Sequence, residues 1–243
     1  MKGRIPLPCT LTTEKTKENF MKQSASDLCP ALTDGTAKAV IFDLDGVLVT
    51  TDNCHFLAWD RMARDEGIPF DRKINERLRG VSRMESLAII LEKSPRSYTE
   101  AEKTALAERK NSYYKELIGS LTQDAILPGA LAMLDFCRVR GLKTAIGSSS
   151  KNTKAILGRL GLADRFDAVA DGNDIKHSKP APDVFLCAAE KLGLPADVCL
   201  VAEDADAGIA AARAAGMRVM GIGPAAGNPD ADFALPQGFA PLL

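Results

Sequence analysis

The segment Ala39-Val40-Ile41-Phe42-Asp43-Leu44-Asp45-Gly46 constrains this chain more than any other. Four apolar residues without polar alternation suit a strand covered on both faces, as in a parallel sheet flanked by helices. Two carboxylates and a glycine end the run at once. Such a strand delivers Asp43 to its C-terminal end, where open α/β sheets place their ligands. Side chains alternate in extended chain, so Asp43 and Asp45 can share one side while Leu44 returns to the core. Two carboxylates held together repel unless a cation or a shared proton joins them. On these residues alone, a strand end followed by an ordinary Asp-Gly turn is the plain alternative.

The remainder of the chain reads as the partner elements of such a sheet. After Leu127-Pro128-Gly129, helices and short apolar runs alternate. The pattern predicts helices over Ala130–Arg140, Thr153–Leu160, Asp183–Leu192 and Ala207–Ala215. It predicts strands over Lys143–Gly147, Ala168–Ala170, Cys199–Ala202 and Arg218–Ile222. Alternation of this kind implies parallel pairing with right-handed crossovers. Between the first strand and this region the sequence is helical: Phe56, Leu57, Trp59, Met62 and Ala63 recur at helical spacing before Gly67 stops the pattern. Leu87, Ile90 and Leu91 mark a second helix, and Tyr98–Ile118 a longer, charged one. The expected fold is α/β: a Rossmann-like parallel sheet core, residues 38–52 and 125–243, with an inserted all-helical cap, residues 53–124. An insertion at that point sits above the strand ends, where a lid belongs.

Residues 1–37 are rich in Thr, Lys, Ser and Glu and read as a poorly ordered N-terminal extension or a short docking helix around Glu14–Lys22. Glu14, Glu18, Asp27 and Asp34 weaken a transit-peptide reading. A net charge of −1 gives no field favouring nucleic acid or an anionic membrane. No apolar run reaches the roughly 18 residues of a membrane span. Six cysteines without a C-x-x-C pair argue against a zinc ribbon or a disulfide framework and fit a reducing compartment. The expectation is a cytoplasmic monomer acting on small molecules, with neither nucleic acid nor membrane as a partner.

Three further polar sites fall at predicted strand ends. Gly147-Ser148-Ser149-Ser150-Lys151-Asn152 offers hydroxyls and backbone N–H groups as an anion seat, although a serine there can equally cap a helix. In Ser178-Lys179-Pro180-Ala181-Pro182-Asp183 the prolines restrict the backbone around Lys179, which suits a lysine aimed inward; a solvated loop lysine is the alternative. Val201-Ala202-Glu203-Asp204 again ends a buried strand in two acids, hard oxygen donors suited to Mg²⁺.

The order Asp-x-Asp, strand-end Ser, Lys, then an acidic pair resembles the haloacid dehalogenase superfamily over roughly residues 38–224. The narrower likeness is to its β-phosphoglucomutases. It rests on Phe42-Asp43-Leu44-Asp45-Gly46-Val47, His55 with Trp59, Arg79-Gly80-Val81-Ser82-Arg83, Arg109-Lys110-Asn111, the serine-rich loop, the Lys179 loop and Glu203-Asp204. That resemblance implies an intramolecular phosphotransferase, an isomerase that forms an aspartyl phosphate. It would interconvert β-glucose 1-phosphate and glucose 6-phosphate, with glucose 1,6-bisphosphate as activating phosphoryl donor. It implies Asp43 as nucleophile, Asp45 as general acid and base, and Lys179 and Ser148 on the transferring phosphate. Mg²⁺ would be held by Asp43, the Asp45 carbonyl and Asp204, with Glu203 nearby. A second phosphate would sit among Arg83, Ser150, Lys151 and Asn152. Thr51, His55, Trp59, Arg79, Gly80, Ser86, Lys110 and Ser149 carry over as hinge, cap or sugar-pocket positions. Trp59 has an equally good reading as the buried anchor of its helix. Arg79, Ser149, Thr50 and Ala205 depart from the usual residues of the family, which bears on substrate preference. A Mg²⁺-dependent sugar-phosphate phosphatase on the same scaffold is the alternative.

Overall fold

A computed structural model describes residues 29–78 and 81–242. The extension before residue 29, including the segment Glu14–Lys22, and the pair Arg79-Gly80 lie outside the described residues. Six parallel strands form one sheet in the order β3-β2-β1-β4-β5-β6. They are β1 (Ala39–Phe42), β2 (Lys143–Gly147), β3 (Ala168–Ala170), β4 (Cys199–Glu203), β5 (Arg218–Ile222) and β6 (Phe233–Leu235). β1 is buried along its whole length, as its unbroken apolar run requires. Helices cover both faces: α5 (Ala130–Arg140) and α6 (Thr153–Arg159) on one side, α7 (Asp183–Leu192) and α8 (Asp206–Ala214) on the other.

The cap comprises α1 (Asp52–Asp65), α2 (Arg72–Glu76), α3 (Arg83–Leu91) and α4 (Glu100–Ile118). It has its own core of Trp59, Met62, Leu87, Ile90 and Leu106. Capping boxes start two of its helices, Ser82 with Glu85 on α3 and Thr99 with Glu102 on α4. The box explains why α4 begins at Glu100 and not at Tyr98. Two crossings join cap to sheet, and they pair with each other. Val49 and Ile126 form an antiparallel bridge, Thr50 N donates to Ala125 O at 2.8 Å, and Leu127 N donates to Leu48 O at 2.9 Å.

Two features depart from the sequence reading. Residues 29–37, assigned to the extension, pack into the main core: Cys29, Ala31, Leu32 and Ala37 are buried there. β6 was not foreseen, because its three residues, Phe233-Ala234-Leu235, are too few to show a period. Among the described residues, no helix is long and apolar enough to cross a membrane.

Candidate active site

Sheet register assembles the site. Phe42 lies opposite both Ile146 and Ala202, so β1, β2 and β4 end at one level. The residues that follow emerge side by side: Asp43 after β1, Ser148 after β2, Asp204 after β4. Asp43 N donates to Ala202 O at 2.9 Å and continues the ladder one step past the strand. Leu44 turns back into the core while Asp43 and Asp45 face away from it.

Lys179 is aimed inward. Its Nζ donates to Asp43 Oδ1 at 2.5 Å and to Glu203 Oε2 at 2.7 Å, while its stem lies against the Phe185 ring. Burial alone would lower its pKa, but the two carboxylates more than offset this and hold it above the ordinary lysine value. Its backbone N also meets Ser149 Oγ at 3.4 Å, which ties this loop to the serine-rich one.

Asp43, Glu203 and Asp204 each offer an oxygen within 4.8 Å of the others. Three carboxylates face one lysine. Burial pushes Glu203 up, Lys179 restrains it and Asp43 adds to the rise; burial and the charges of Asp43, Glu203 and Asp45 push Asp204 up. Gly46, at φ +93°, lets the chain turn past Asp204, whose carboxylate occupies the space a Cβ would need. Hard oxygen donors with surplus negative charge fit a Mg²⁺ ion. A carboxyl raised in the fold contributes stability that is fully present below its unfolded value, about 4. That stability is lost as pH rises toward the folded value. Saturating Mg²⁺ is therefore expected to raise the melting temperature by about 5 °C at pH 8. The gain should be clearly smaller at pH 5, where protons compete for the same oxygens. Equal shifts at both pH values would dissociate this cluster from metal binding.

A second group sits on the cap side. Thr51 donates through both N and Oγ1 to Asp45, and its hydroxyl lies 2.9 Å from Tyr114 OH. Burial, opposed by the Thr51 bonds and reinforced by Asp52 and Asp43, lifts the Asp45 carboxyl to about 6. His55 Nε2 is 3.9 Å from Asp45 Oδ2, and its Nδ1 is 2.9 Å from Lys110 Nζ. Lys110 is 3% exposed and sits over the Trp59 and Tyr114 rings. Burial and then Arg83 lower Lys110 to about 7; burial, Lys110 and Arg83 hold His55 well below its usual value. Arg83 opens α3, and Ser86 lies buried one turn on. Trp59 satisfies both of its readings, being buried in the cap core and in contact with Lys110.

The third group is the serine-rich loop. Ser148 Oγ accepts from Ser150 N at 3.3 Å and Ser150 Oγ accepts from Asn152 N at 3.2 Å, so two hydroxyls shape the turn. Asn152 Nδ2 donates to Asn111 Oδ1 at 3.1 Å, which links this loop to α4 one residue past Lys110. Lys151 is exposed. Tyr114 was missed by sequence reasoning. Its position four residues after Lys110 on one helix, and thus on the same face, was the available signal.

A parallel sheet whose strand ends carry a carboxylate-lysine-carboxylate cluster, roofed by an inserted helical cap, defines a class. Residues 37–216 match the haloacid dehalogenase-like hydrolase family, and the chain belongs to it. Within that family it is a β-phosphoglucomutase-like enzyme. It is 48% identical to a β-phosphoglucomutase of Bacillus subtilis over 189 residues, 76% of this chain and 83% of that protein. It is also 34% identical to the fructose-1-phosphate phosphatase YqaB of Escherichia coli, across 75% of this chain and 95% of that one. The crystal structure of a β-phosphoglucomutase from Clostridium difficile superposes with a TM-score of 0.70 at 43% identity, covering 77% of this chain and 85% of the other.

Proposed function

We propose that this chain interconverts β-D-glucose 1-phosphate and glucose 6-phosphate through an aspartyl phosphate on Asp43 and a sugar bisphosphate. The observation that carries the reading is the pairing of two separate charged groups. One is the Asp43-Lys179-Glu203 cluster at the sheet. The other is the buried cationic set of Lys110 and Arg83 beside Asp45 on the cap side. In the first half-reaction a carboxylate oxygen of Asp43 attacks phosphorus, and the bond from phosphorus to the sugar oxygen breaks. Asp45 gives its proton to that leaving oxygen. A carboxyl lifted to about 6 can serve as acid in this direction and as base in the return. In the second half-reaction the other sugar hydroxyl loses its proton to Asp45 and attacks the aspartyl phosphate.

Lys179 and Ser148 hold the oxygens of the transferring phosphate as charge moves. Asp43, Asp204 and the Asp45 carbonyl would hold Mg²⁺, with Glu203 beside them. Bound there, the ion supplies charge neutralisation between two anions that otherwise repel. Arg83, Ser150, Lys151 and Asn152 are assigned to the phosphate at the far end of the sugar, where a guanidinium can bind bidentately. Thr51 orients Asp45, His55 and Lys110 line the sugar pocket, and glucose 1,6-bisphosphate primes the enzyme.

The test is a coupled assay of glucose 6-phosphate formed from β-glucose 1-phosphate with Mg²⁺, with and without glucose 1,6-bisphosphate, while released phosphate is followed. Bisphosphate-stimulated glucose 6-phosphate with little free phosphate is the expected result. Free phosphate without isomerised sugar would favour the phosphatase reading that the likeness to YqaB supports. Arg83→Ala is expected to lower kcat/KM for the mutase reaction about 100-fold while lowering hydrolysis of p-nitrophenyl phosphate less than about threefold. Equal losses on both substrates would remove Arg83 from the distal phosphate.

A further inference from the structure

The turn after β3, Asp171-Gly172-Asn173, belongs to none of the four motifs, yet it is bonded to the back of the serine-rich loop. Gly172 N donates to Ser150 O at 3.2 Å, and Asn173 Nδ2 donates to Lys151 O at 3.1 Å. Asp171 fixes Asn173 in turn: the backbone N and Nδ2 of Asn173 both donate to Asp171 Oδ1, at 2.8 and 3.0 Å. Thr153 Oγ1 adds a second bond to Ser150 O, at 2.9 Å. Gly172 stands so close that a Cβ would overlap the Ser149 carbonyl oxygen and press on the Lys151 backbone N.

Asp171 itself is fully buried. Its Oδ2 accepts no hydrogen bond among the described residues and faces only the Lys154 ammonium, at 4.0 Å. A buried carboxylate with one oxygen unpartnered costs stability, and packing alone would be served better by an apolar residue. What the carboxylate does have is a two-bond grip on Asn173, and through Asn173 and Gly172 a grip on two consecutive carbonyls of the loop that carries Lys151 and Asn152.

We propose that Asp171 is a positioning residue for the second phosphate seat, setting the path of the 149–151 backbone through Asn173 and Gly172. It touches no substrate, and the inference rests on the assignment of Ser150, Lys151 and Asn152 to that seat.

The experiment compares β-glucose 1-phosphate, which uses the seat, with p-nitrophenyl phosphate, which needs only the Asp43 side. Asp171→Ala is expected to raise KM for the sugar phosphate about tenfold and to leave kcat/KM for the aryl phosphate within about twofold. Asp171→Asn keeps an oxygen for Asn173 and is expected to restore KM to within about twofold of the unmodified enzyme. Asn173→Ala cuts the same link from an exposed side chain, so it reports even if Asp171→Ala folds poorly. It is expected to raise the sugar-phosphate KM about fivefold. Uniform losses on both substrates, or no change in either, would overturn the positioning role. Lys151→Ala separates the two levels. A selective KM rise there, without one in Asp171→Ala and Asn173→Ala, retains the seat and overturns the positioning role. No selective rise in any of the three overturns both.

Discussion

Asp43→Asn is expected to lower kcat at least about 10⁴-fold, on the sugar phosphate and on p-nitrophenyl phosphate alike. The carboxamide keeps the size of the side chain and one oxygen to accept from Lys179, so the geometry of the cluster survives. What it lacks is the charge that makes a carboxylate oxygen attack phosphorus. The substitution also removes one of three carboxylates crowded around a single lysine, so the metal-free variant should melt no lower than the unmodified protein. Loss of activity with retained stability is the diagnostic combination. A protein-bound, base-labile phosphate, trapped by rapid quenching from the unmodified enzyme and absent from the variant, completes the test. Appreciable turnover by Asp43→Asn would sink the covalent mechanism.

Lys179→Met is the second large effect. Methionine keeps an unbranched stem against Phe185 and removes the only cation bonded to Asp43 and Glu203 among the described residues. A fall in kcat of about 10³-fold is expected, the size seen when one donor to developing charge is lost. Stability should fall as well, and unequally with pH. Breaking a buried ion pair costs about 3–5 kcal/mol when the remaining charge must stay ionised. Below the unfolded carboxylate value, about 4, the acids are protonated in both states and the cost largely disappears. As pH rises toward the elevated folded values it returns in full. Melting of the metal-free variant at pH 5 and pH 8 checks this. An equal deficit at both would mean that Lys179 matters for its packing and not for its charge.

The parts of this molecule readable from sequence are those whose cause is local. β1 announced itself by four apolar residues with no alternation, and the bounds of β2, β3, β5, α5 and α7 follow the turns and glycines that flank them. Asp43, Lys179, Glu203 and Asp204 were named from their places at strand ends, and parallel register carries them to one level. Their convergence on shared hydrogen bonds is a property of that register. The less legible features depend on partners distant in sequence. β6 exists because β5 offers it an edge, and residues 29–37 are ordered because the sheet's flank covers Cys29 and Leu32. α2 is five residues long, held by Asp71 accepting from Ile74 N, and shows no apolar stripe. Tyr114 reads as one aromatic in a charged helix until Thr51 and His55 come up beside it.

The two crossings between cap and sheet do more than tether. Because Val49 and Ile126 bridge, and Thr50 and Leu127 bond across the same gap, the neck is a small ribbon and not a pair of independent strings. Such a ribbon flexes like a leaf spring and resists wringing, so the cap rocks along one arc and brings the same cap residues over Asp43 on every stroke. The neck is also a gauge of length. One residue added to a single crossing would slip the pairing and skew the whole roof, whereas one added to each would lift it squarely and leave its aim unchanged.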